Sequence, residues 1–389
     1  MATDHEFSEK LDQLLIRWSP GLSRRDFLRR SGLSLGALAT SSSILAIIQA
    51  CGGSASPASS QSGSTSSSLK GTGQVVYAGY GGIYQQGMQS AVFNHFTSDT
   101  GIIVQVTADG GNIPKIAAAV KAGAPQWDVV ENPVVTRGVN LAQGILQKYN
   151  KNIVDTSGIV DKRFIDDYGA SFYSYAATLF WNTKALTTPL NSWADVWNTT
   201  KFPGKRGFQN SSVRTLVEAV LADGVAVDKV FPIDMTRAYA ALNRIKSNAV
   251  FQALNTITNL AAQQDIVAGD LNLARTKTLL QSKVPVAYTW NQAIVDSDAL
   301  GVVAGAQNVD NANKLLAYSL LPQTQLRVLD VLAYTPTVKT ALDILTVDQL
   351  KDLAGTTYTL PTSVVLDGAY FTNHYTANEQ MFQSWLLTL

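Results

Sequence analysis

Aromatic rings, carboxylates and cationic side chains stand where predicted strands of this chain end, which is where a cleft would expose them. Tyr80 follows the first predicted strand, Glu131 ends the third, and Trp290 ends a later one. Rings and carboxylates of this kind bind an ammonium group through cation–π and ionic interactions. Ser211, at the start of a predicted helix, and Arg275 are suited to an anionic group instead. These residues predict a binding site for a small charged molecule.

Three further residues belong to the same candidate site. Gly81 permits a close approach of the backbone to a ligand, and Asp128 lies inside a strand, where an unpaired charge is costly. Tyr173 shares one side of a long β-prone segment with Tyr175, because alternate residues of a strand point the same way. Each candidate also has a structural interpretation: core or hinge packing for the rings, an internal ion pair for the carboxylates, and an ordinary helix cap for Ser211.

No arrangement of residues indicates catalysis or a metal site. The chain has three histidines and one cysteine, and His95 and His374 stand apart without the spacing of metal ligands. The Gly-x-Ser-x-Gly string at Gly32–Gly36 lies within the predicted export signal and is not a nucleophile elbow, which needs a strand-to-helix turn. Asp166 and Asp167 are typical of a solvated turn, with a glycosidase-type carboxylate pair as the alternative. We predict a binding protein that is not an enzyme, with no catalytic residues, no cofactor and no metal.

The overall charge is nearly balanced, with 30 lysines and arginines against 29 aspartates and glutamates. A nucleic-acid-binding protein usually presents a basic face. The balance therefore predicts no nucleic-acid partner, although it permits a locally charged pocket.

The first 51 residues have the parts of an export signal. Arg24 and Arg25 precede an apolar stretch at 33–48 that is short and serine-rich for a transmembrane helix. The motif around the two arginines resembles the twin-arginine signal. The residues from Ile48 to Cys51 resemble a bacterial lipobox, from which Gln49 is a departure. We predict cleavage before Cys51 and lipidation of that residue. The lipid would anchor the exported chain at the outer face of the bacterial cytoplasmic membrane or in the periplasm.

A tract rich in serine and glycine, 52–73, follows this segment. Because such a composition cannot bury an apolar face, we predict a disordered linker. From residue 74 onward, strand-like apolar runs alternate with helical periodicity, which favours an α/β fold with a mostly parallel sheet covered on both faces. The long β-prone segment at 171–182 would carry the chain between lobes. We predict one lobe at 74–179, completed by 300–389, and a second at 180–299.

Eight short motifs occur in a recognisable order: Tyr80-Gly-Gly, Phe96-x-x-x-x-Gly101, Trp127-Asp-Val-Val, Phe180-Trp-Asn-Thr-Lys184, Ser192-Trp-Ala-Asp-Val-Trp197, Phe202-Pro-Gly-Lys205, Val303-Ala-Gly-Ala-Gln-Asn308 and Tyr334-Thr-Pro-Thr337. This order resembles the extracellular solute-binding proteins of ABC importers, in the spermidine/putrescine-binding-like branch. The resemblance implies a two-lobed type II periplasmic-binding-protein fold with a hinge and a ligand cleft between the lobes. It also implies a small-molecule ligand, an ABC permease as partner, and a monomer.

The ligand predicted from this resemblance is a polyamine such as putrescine or spermidine. Polyamine binders of that branch often carry a Trp-Asn-Gly-Asp-like string where this chain has Leu273-Ala-Arg275-Thr. A cation at Arg275 disfavours a purely dicationic ligand, so the sequence also leaves a zwitterion or an anion open. Three further functions compete with these: ferric-ion capture through tyrosine oxygens, signalling as a lipid-anchored sensor, and hydrolysis by an exported enzyme.

Overall fold

The computed structural model describes residues 69–110 and 112–389. The predicted export signal with Arg24 and Arg25, the predicted lipidation site Cys51 and the linker segment 52–68 lie outside the described residues. The chain divides into two units, Met1–Lys70 and Gly71–Leu389, and every element described belongs to the second. None of the helices in the described ranges combines the length and the apolar character that crossing a bilayer requires.

Residues 71–73, predicted to end the linker, belong to the folded unit. The Gly71 amide donates to the Thr100 carbonyl at 2.9 Å, and the Gly73 carbonyl accepts from the Ile103 amide at 3.0 Å. The folded unit therefore begins at Gly71 rather than at Gln74.

The strands form one sheet. In chain order they are β1 Gln74–Ala78, β2 Ile103–Thr107, β3 Val129–Glu131, β4 Leu146–Gln147, β5 Ile165–Asp166, β6 Gly169–Asn182, β7 Arg206–Gln209, β8 Ala249–Gln252, β9 Ala268–Asn272, β10 Val286–Val303, β11 Thr335–Pro336 and β12 Val364–Val365.

Helices cover the sheet. In chain order the α-helices are α1 Gly82–Met88, α2 Asn94–Thr100, α3 Ile113–Lys121, α4 Arg137–Ala142, α5 Trp193–Trp197, α6 Ser212–Ala222, α7 Met235–Ile245, α8 Leu254–Gln263, α9 Leu273–Gln281, α10 Val309–Ser319, α11 Pro322–Leu332, α12 Lys339–Leu342, α13 Val347–Lys351 and α14 Gly368–Leu386. A π-helical turn, Gln89–Phe93, joins α1 to α2.

The sheet has the strand order β2-β1-β3-β10-β6-β9-β7-β8. Pairing is parallel in the first half, β2-β1-β3, and among β9, β7 and β8 of the second half. It is antiparallel where β10 meets β3, where β6 meets β10 and where β9 meets β6. The sheet is therefore mixed rather than mostly parallel, because two long strands cross its middle.

These two strands, β6 and β10, connect the halves. The predicted β-prone segment at 171–182 is confirmed as the greater part of β6, which has 14 residues, and β10 has 18. Their register shifts between Thr289 and Ile294, where Gln292 has a left-handed φ of 61°. At this point Gln292 holds Trp193: its side-chain oxygen accepts from the Trp193 amide at 2.8 Å, and its carbonyl accepts from the indole at 3.0 Å.

The helix α14 packs against both halves. In the first half it lies so close to α4 that a Cβ added to Gly138 would lie 2.1 Å from Thr372 Cα. In the second half the Trp385 ring meets Phe251 edge to face at 5.1 Å, and its indole donates to Asn243 Oδ1 at 3.0 Å. The assignment of 300–389 to the first lobe stays a prediction, and α14 is the part of that segment that contacts both halves.

Candidate functional site

Two tyrosine–aspartate pairs lie side by side across β6 and β10. The antiparallel register places Tyr173 opposite Asp298 and Tyr175 opposite Asp296. The Tyr173 hydroxyl donates to Asp298 Oδ2 at 3.1 Å, and the Tyr175 hydroxyl donates to Asp296 Oδ2 at 2.7 Å. Because alternate residues of a strand share a face, the four side chains project from one face of the sheet.

Glu131, the last residue of β3, extends this row. It pairs with Leu300 on β10, which shares a face with Asp298. The hydroxyls of Tyr77 and Tyr84 both donate to Glu131 Oε1. Glu131 is 1% exposed, and its Oε2 atom accepts a hydrogen bond from no described donor. One buried carboxylate oxygen therefore remains available to a ligand.

Tyr334 lies over the tyrosines of β6. Its ring stacks on Tyr173 with a centroid distance of 4.5 Å and an interplanar angle of 15°, and it lies 5.8 Å from Tyr175. The Tyr84 and Tyr173 hydroxyls are 3.0 Å apart. We call the whole group the carboxylate–tyrosine cage: Tyr77, Tyr84, Glu131, Tyr173, Tyr175, Asp296, Asp298 and Tyr334.

Burial raises the pKa of all three cage carboxyls. For Asp298, burial is the largest cause, and the negative charges of Glu131 and Asp296 raise its pKa further. For Glu131, burial outweighs the hydrogen bonds from Tyr77 and Tyr84, which lower the pKa. For Asp296, burial outweighs its hydrogen bonds and the charges of nearby arginines. No lysine or arginine among the described residues forms a salt bridge with any of the three.

Such a site attracts a cation. Several carboxyls brought together out of water disfavour their own ionisation, and a positive charge among them relieves that penalty. Tyrosine faces add cation–π attraction for an ammonium group. Among the described residues no group of three or more histidine, cysteine, aspartate or glutamate side chains could hold a metal ion. The arrangement is suited to an organic ammonium.

Arg214, in the first turn of α6, comes from the second half of the sheet. Its Nη1 atom donates to Asn272 Oδ1 and, at 3.0 Å, to Gln209 Oε1. The same atom lies 3.7 Å from Asp270 Oδ2. Asp270 and Asn272 belong to β9, which lies beside β6 because Ala177 pairs with Asn272, and Gln209 ends the next strand, β7. Three neighbours therefore fix the guanidinium in one position.

The charge of Arg214 reaches the cage. It lowers the pKa of Tyr175, Asp296 and Tyr334, although burial is the larger cause and raises all three values. Arg275 also lowers the pKa of Tyr334. The site thus has a carboxylate-rich end formed by β3 and β10 and a cationic end formed by α6 and α9.

Two buried carboxyls lie near Arg214 in the second half. Glu218 and Asp270 are both fully buried, and burial raises the pKa of each. Neither carboxylate oxygen of Glu218 accepts from a described donor. A buried acid without donors, such as Glu218, favours its neutral form. Asp270 instead forms a salt bridge with Arg214 at 3.7 Å and compensates part of its charge.

Four of the eight predicted ligand residues come together here. Glu131 and Tyr173 belong to the cage, and Tyr80 and Gly81 lie at the turn between β1 and α1. Tyr80 is 48% exposed, and partial burial followed by the charges of Asp298 and Glu131 raises its pKa. Gly81 has a φ of 75°, which lets the chain turn from strand into helix. Their contact with a ligand stays a prediction.

Asp128 and Trp290 lie apart from the cage. Asp128 Oδ2 accepts from the Val76 amide at 2.8 Å and from Asn308 Nδ2 at 3.0 Å, and its Oδ1 accepts from the Asn308 amide at 2.8 Å. Trp290 packs against the hydrophobic cluster that contains Phe164. Asp128 precedes β3 rather than lying inside it, and it is held by amide donors from β1 and from the residue before α10 rather than by an ion pair. Trp290 packs, so neither contacts the cage.

Ser211 and Arg275 belong to the second half. The anion position at the start of α6 is occupied by the chain itself, because Glu379 Oε2 accepts from the Ser212 hydroxyl at 2.6 Å and from its amide at 3.2 Å. The Ser211 side chain makes no capping hydrogen bond. Arg275 is exposed and donates to Asn255 Oδ1 at 2.9 Å. Neither residue contacts the cage directly through a hydrogen bond.

Sequence reasoning missed five of the eight residues of the cage, Tyr77, Tyr84, Asp296, Asp298 and Tyr334, and it also missed Arg214 beside it. One signal was present, since Asp296 and Asp298 repeat with a period of two inside an apolar run. That spacing places two carboxylates on one face of a strand. Their partners Tyr173 and Tyr175 have the same spacing of two residues. The sequence therefore indicated that these two pairs could face each other across neighbouring strands.

A separate cavity of about 620 Å³ lies elsewhere in the folded unit. Its walls include Arg137 and Asp166, which form a 2.6 Å ion pair, together with Phe231 and Asp367. No residue of the cage lines it.

Comparisons with known proteins agree with a binding role. The profile of a family described as bacterial extracellular solute-binding protein matches residues 91–355. The gamma-aminobutyric acid-binding protein of Pseudomonas aeruginosa is 28% identical over 315 residues, which cover 79% of this chain and 89% of that protein. The spermidine/putrescine-binding periplasmic protein of Escherichia coli is 19% identical over 62% of this chain and 72% of its own length.

Among solved structures, an ABC transporter substrate-binding protein from Bradyrhizobium japonicum is similar to this chain, with a TM-score of 0.75 and 25% identity. The alignment covers 80% of this chain and 99% of that one. This similarity confirms the predicted α/β fold class.

Proposed function

Because this chain belongs to the bacterial extracellular solute-binding proteins, with the type II periplasmic-binding-protein fold, we propose that it captures a small zwitterion with a primary ammonium group. It is a solute-binding component of an ABC transporter rather than an enzyme. The identity of the solute is the part that we propose, and one observation carries it: Glu131 Oε2 is a buried acceptor with no described donor, inside a cage of carboxyls and tyrosines.

The ammonium end of the solute is assigned to the cage. Tyr77 and Tyr84 saturate Glu131 Oε1 and leave Oε2 for the ligand. The stacked rings of Tyr173 and Tyr334 add aromatic surface beside it. A charge-assisted hydrogen bond inside such a site is stronger than one between neutral groups.

The anionic end of the solute is assigned to Arg214. Its guanidinium is held by Gln209 and Asn272, so little side-chain freedom is lost when it binds a carboxylate or phosphonate. The relative from Pseudomonas aeruginosa, named for gamma-aminobutyric acid (GABA), supports a short ω-amino acid. We take GABA as the first probe.

A polyamine, the ligand predicted from the sequence, is the second candidate. The three cage carboxyls favour it, as does the similarity to the spermidine/putrescine-binding protein. A diamine would, however, bring its second ammonium toward the cationic end formed by Arg214 and Arg275. Electrostatic repulsion at that end favours the zwitterion.

The mode of action follows from the fold. The lobes predicted at 74–179 with 300–389 and at 180–299 would close over the solute by bending where β6 and β10 connect the two halves. A solute shifts the balance between open and closed forms only through contacts that are made in the closed form. The closed protein would then deliver its solute to an ABC permease.

We retain three further predictions within this proposal. The chain is exported through a signal containing Arg24 and Arg25, it is anchored by a lipid on Cys51 at the outer face of the cytoplasmic membrane or in the periplasm, and it acts as a monomer. Mass spectrometry of membrane-extracted protein tests the anchor, since an unmodified thiol at Cys51 would contradict it.

Thermal-shift and calorimetric titrations of the purified protein with GABA, putrescine and acetate test the proposed ligand class. At a ligand concentration one hundred times Kd, binding stabilises a protein by about 2.7 kcal/mol. We expect GABA to raise Tm and acetate to leave it unchanged. A shift with putrescine but not with GABA would replace the zwitterion by a polyamine.

A further inference from the structure

The cage brings three buried carboxyls together, and burial raises the pKa of each of them. The titratable and charged groups around it come from every neighbouring element: Glu131 on β3, Asp296 and Asp298 on β10, Tyr77 on β1, Tyr80 after it, Tyr84 on α1, Tyr173 and Tyr175 on β6, Tyr334 before β11, Arg137 on α4, Arg214 on α6 and Arg275 on α9. The three arginines act at a distance. The direct partners of the carboxyls are hydroxyls and backbone amides, and the Glu131 and Asp298 carboxyls also hydrogen-bond each other.

The three carboxyls differ in how well their ionised forms are supported. Glu131 accepts from two hydroxyls through one oxygen. Asp296 accepts from Tyr175 and from the Ser297 amide, and it feels the charges of Arg214 and Arg137. Each of these two therefore has a reason to remain an anion.

The ionised form of Asp298 is stabilised less by hydrogen bonds and destabilised more by neighbouring charges. It lies between the other two in the row, and both of their negative charges act on it. Its partners are the Tyr173 hydroxyl at 3.1 Å, the Ala299 amide at 2.9 Å and the Glu131 carboxyl, and it is 6% exposed. Two like charges and little water favour a carboxyl that keeps its proton.

We propose that the ligand-free protein holds a proton on Asp298 and that the ammonium group of an arriving solute displaces it. This inference rests on the proposed function, in which the ammonium occupies the cage. The O–H bond of Asp298 breaks, the proton passes to solvent, and the ammonium keeps its own protons. One positive charge replaces another, so the net charge of the cage is unchanged.

Proton exchange makes solute capture depend on pH with a definite sign. Below the pH at which Asp298 loses its proton in the ligand-free protein, the solute must expel that proton, and the association constant rises up to tenfold for each pH unit. Above that pH no proton is released and the affinity levels off. Acidification therefore promotes release of the solute.

Infrared spectroscopy of the ligand-free protein tests whether Asp298 carries a proton. A protonated carboxyl has a carbonyl stretching band that a carboxylate lacks. We expect the spectrum of the ligand-free protein at pH 7, minus that of D298N, to contain this band. The spectrum minus that of D348N, which alters a carboxylate with 97% exposure, is expected to lack it. Absence of the band from the first difference would overturn the proposal, whatever the ligand.

Calorimetry of the whole protein with GABA, and separately with putrescine, tests the exchange. Titrations in phosphate and in Tris, which differ in protonation enthalpy, give the number of protons released per solute bound. We expect up to one proton near pH 7 for the unaltered protein and for D348N, and close to none for D298N. A binding heat that is independent of the buffer would overturn proton exchange. Failure of both probes to bind would overturn the proposed ligand class. The infrared result would then decide whether Asp298 carries a proton.

Discussion

Tyr173 and Asp298 face each other across the two long strands and are joined by a hydrogen bond of 3.1 Å. One residue belongs to the strand that leaves the first half of the sheet, and the other belongs to the strand that returns to it. Two residues along, Tyr175 and Asp296 repeat the arrangement at 2.7 Å. The candidate ligand site is therefore built on the same strands that connect the two halves.

Glu131→Gln is expected to weaken binding of GABA strongly. The substitution keeps the shape of the side chain and removes the charge that Oε2 offers to the ammonium. A hydrogen bond to a charged group contributes about 1.5–3 kcal/mol, which corresponds to roughly a 10- to 150-fold increase in Kd. Calorimetry measures the change, and Asp348→Asn, an exposed carboxylate, is the control. An unaltered Kd in a folded E131Q protein would remove Glu131 from the site.

Arg214→Met is expected to separate the zwitterion from the diamine. Methionine keeps much of the stem of the arginine and removes the charge that is held by Gln209 and Asn272. The Kd for GABA should rise roughly tenfold or more, because a charge-assisted contact with its carboxylate is lost. The Kd for putrescine should stay the same or fall.

The control for this experiment is Arg244→Met, at a half-exposed arginine paired with Asp223 on the surface. It should leave the binding of both probes unchanged. If Arg214→Met weakened putrescine as much as GABA, the arginine would serve the structure of the cleft rather than the recognition of an anion.

The stability of the ligand-free protein is expected to fall as the pH rises from about 4 toward neutrality. Burial and the charges of Glu131 and Asp296 raise the pKa of Asp298 in the folded protein. In this window the folded state binds more protons than the unfolded state, so each pH unit reduces the free energy of unfolding by up to about 1.4 kcal/mol per proton.

Asp298→Asn should remove a large part of this dependence, because the amide is neutral at every pH. Urea unfolding at several pH values, with Asp348→Asn as the matched control, measures the slopes. The variant should be more stable than the parent at pH 7 in the absence of ligand. A variant with the slope of the parent would show that Asp298 is ionised in the free protein.

Glu379 and Ser212 are expected to stabilise the protein as a coupled pair. The Glu379 carboxylate accepts from the hydroxyl and the amide of Ser212 at the start of α6. Loss of such a cap costs about 1 kcal/mol. Thermal unfolding of E379Q, S212A and the double variant gives a coupling energy, expected to be about 0.5 kcal/mol or more. Strictly additive effects would show that the contact does not contribute to stability.

Gln383→Ala is the control, because its side chain contacts Glu379 within α14 at 2.6 Å and does not reach α6. It should leave the coupling between Glu379 and Ser212 intact.

Several local features were predictable because their causes are local. The segment at 171–182 is rich in aromatic residues and forms the greater part of β6. Glu131 ends β3 and Tyr80 follows β1, as the apolar runs before them predicted. Glu131 and Tyr173 are therefore the residues of the cage that sequence reasoning identified as ligand candidates, and Tyr80 lies at the turn between β1 and α1.

The rest of the cage depends on pairing between residues far apart in the chain. Tyr77 and Tyr84 meet Glu131 only because β1 and β3 are neighbours. Asp298 meets Tyr173 only in one register of β6 against β10, and a shift of one residue would turn its side chain to the other face. Local composition does not encode that register. The occupation of the α6 terminus by Glu379 is equally non-local, because α14 must first pack across both halves.

The packing of α14 also bears on how the chain folds while it is being synthesised. Phe208 and Trp193, in the middle of the chain, share a hydrophobic core with Phe382 and Trp385 of this helix. A ribosome adding roughly 5–20 residues per second needs about 9–35 s to pass from Phe208 to Phe382. During that interval the second half of the sheet has an incomplete core with exposed apolar surface. A nascent chain of this protein therefore exposes part of that core until α14 has emerged.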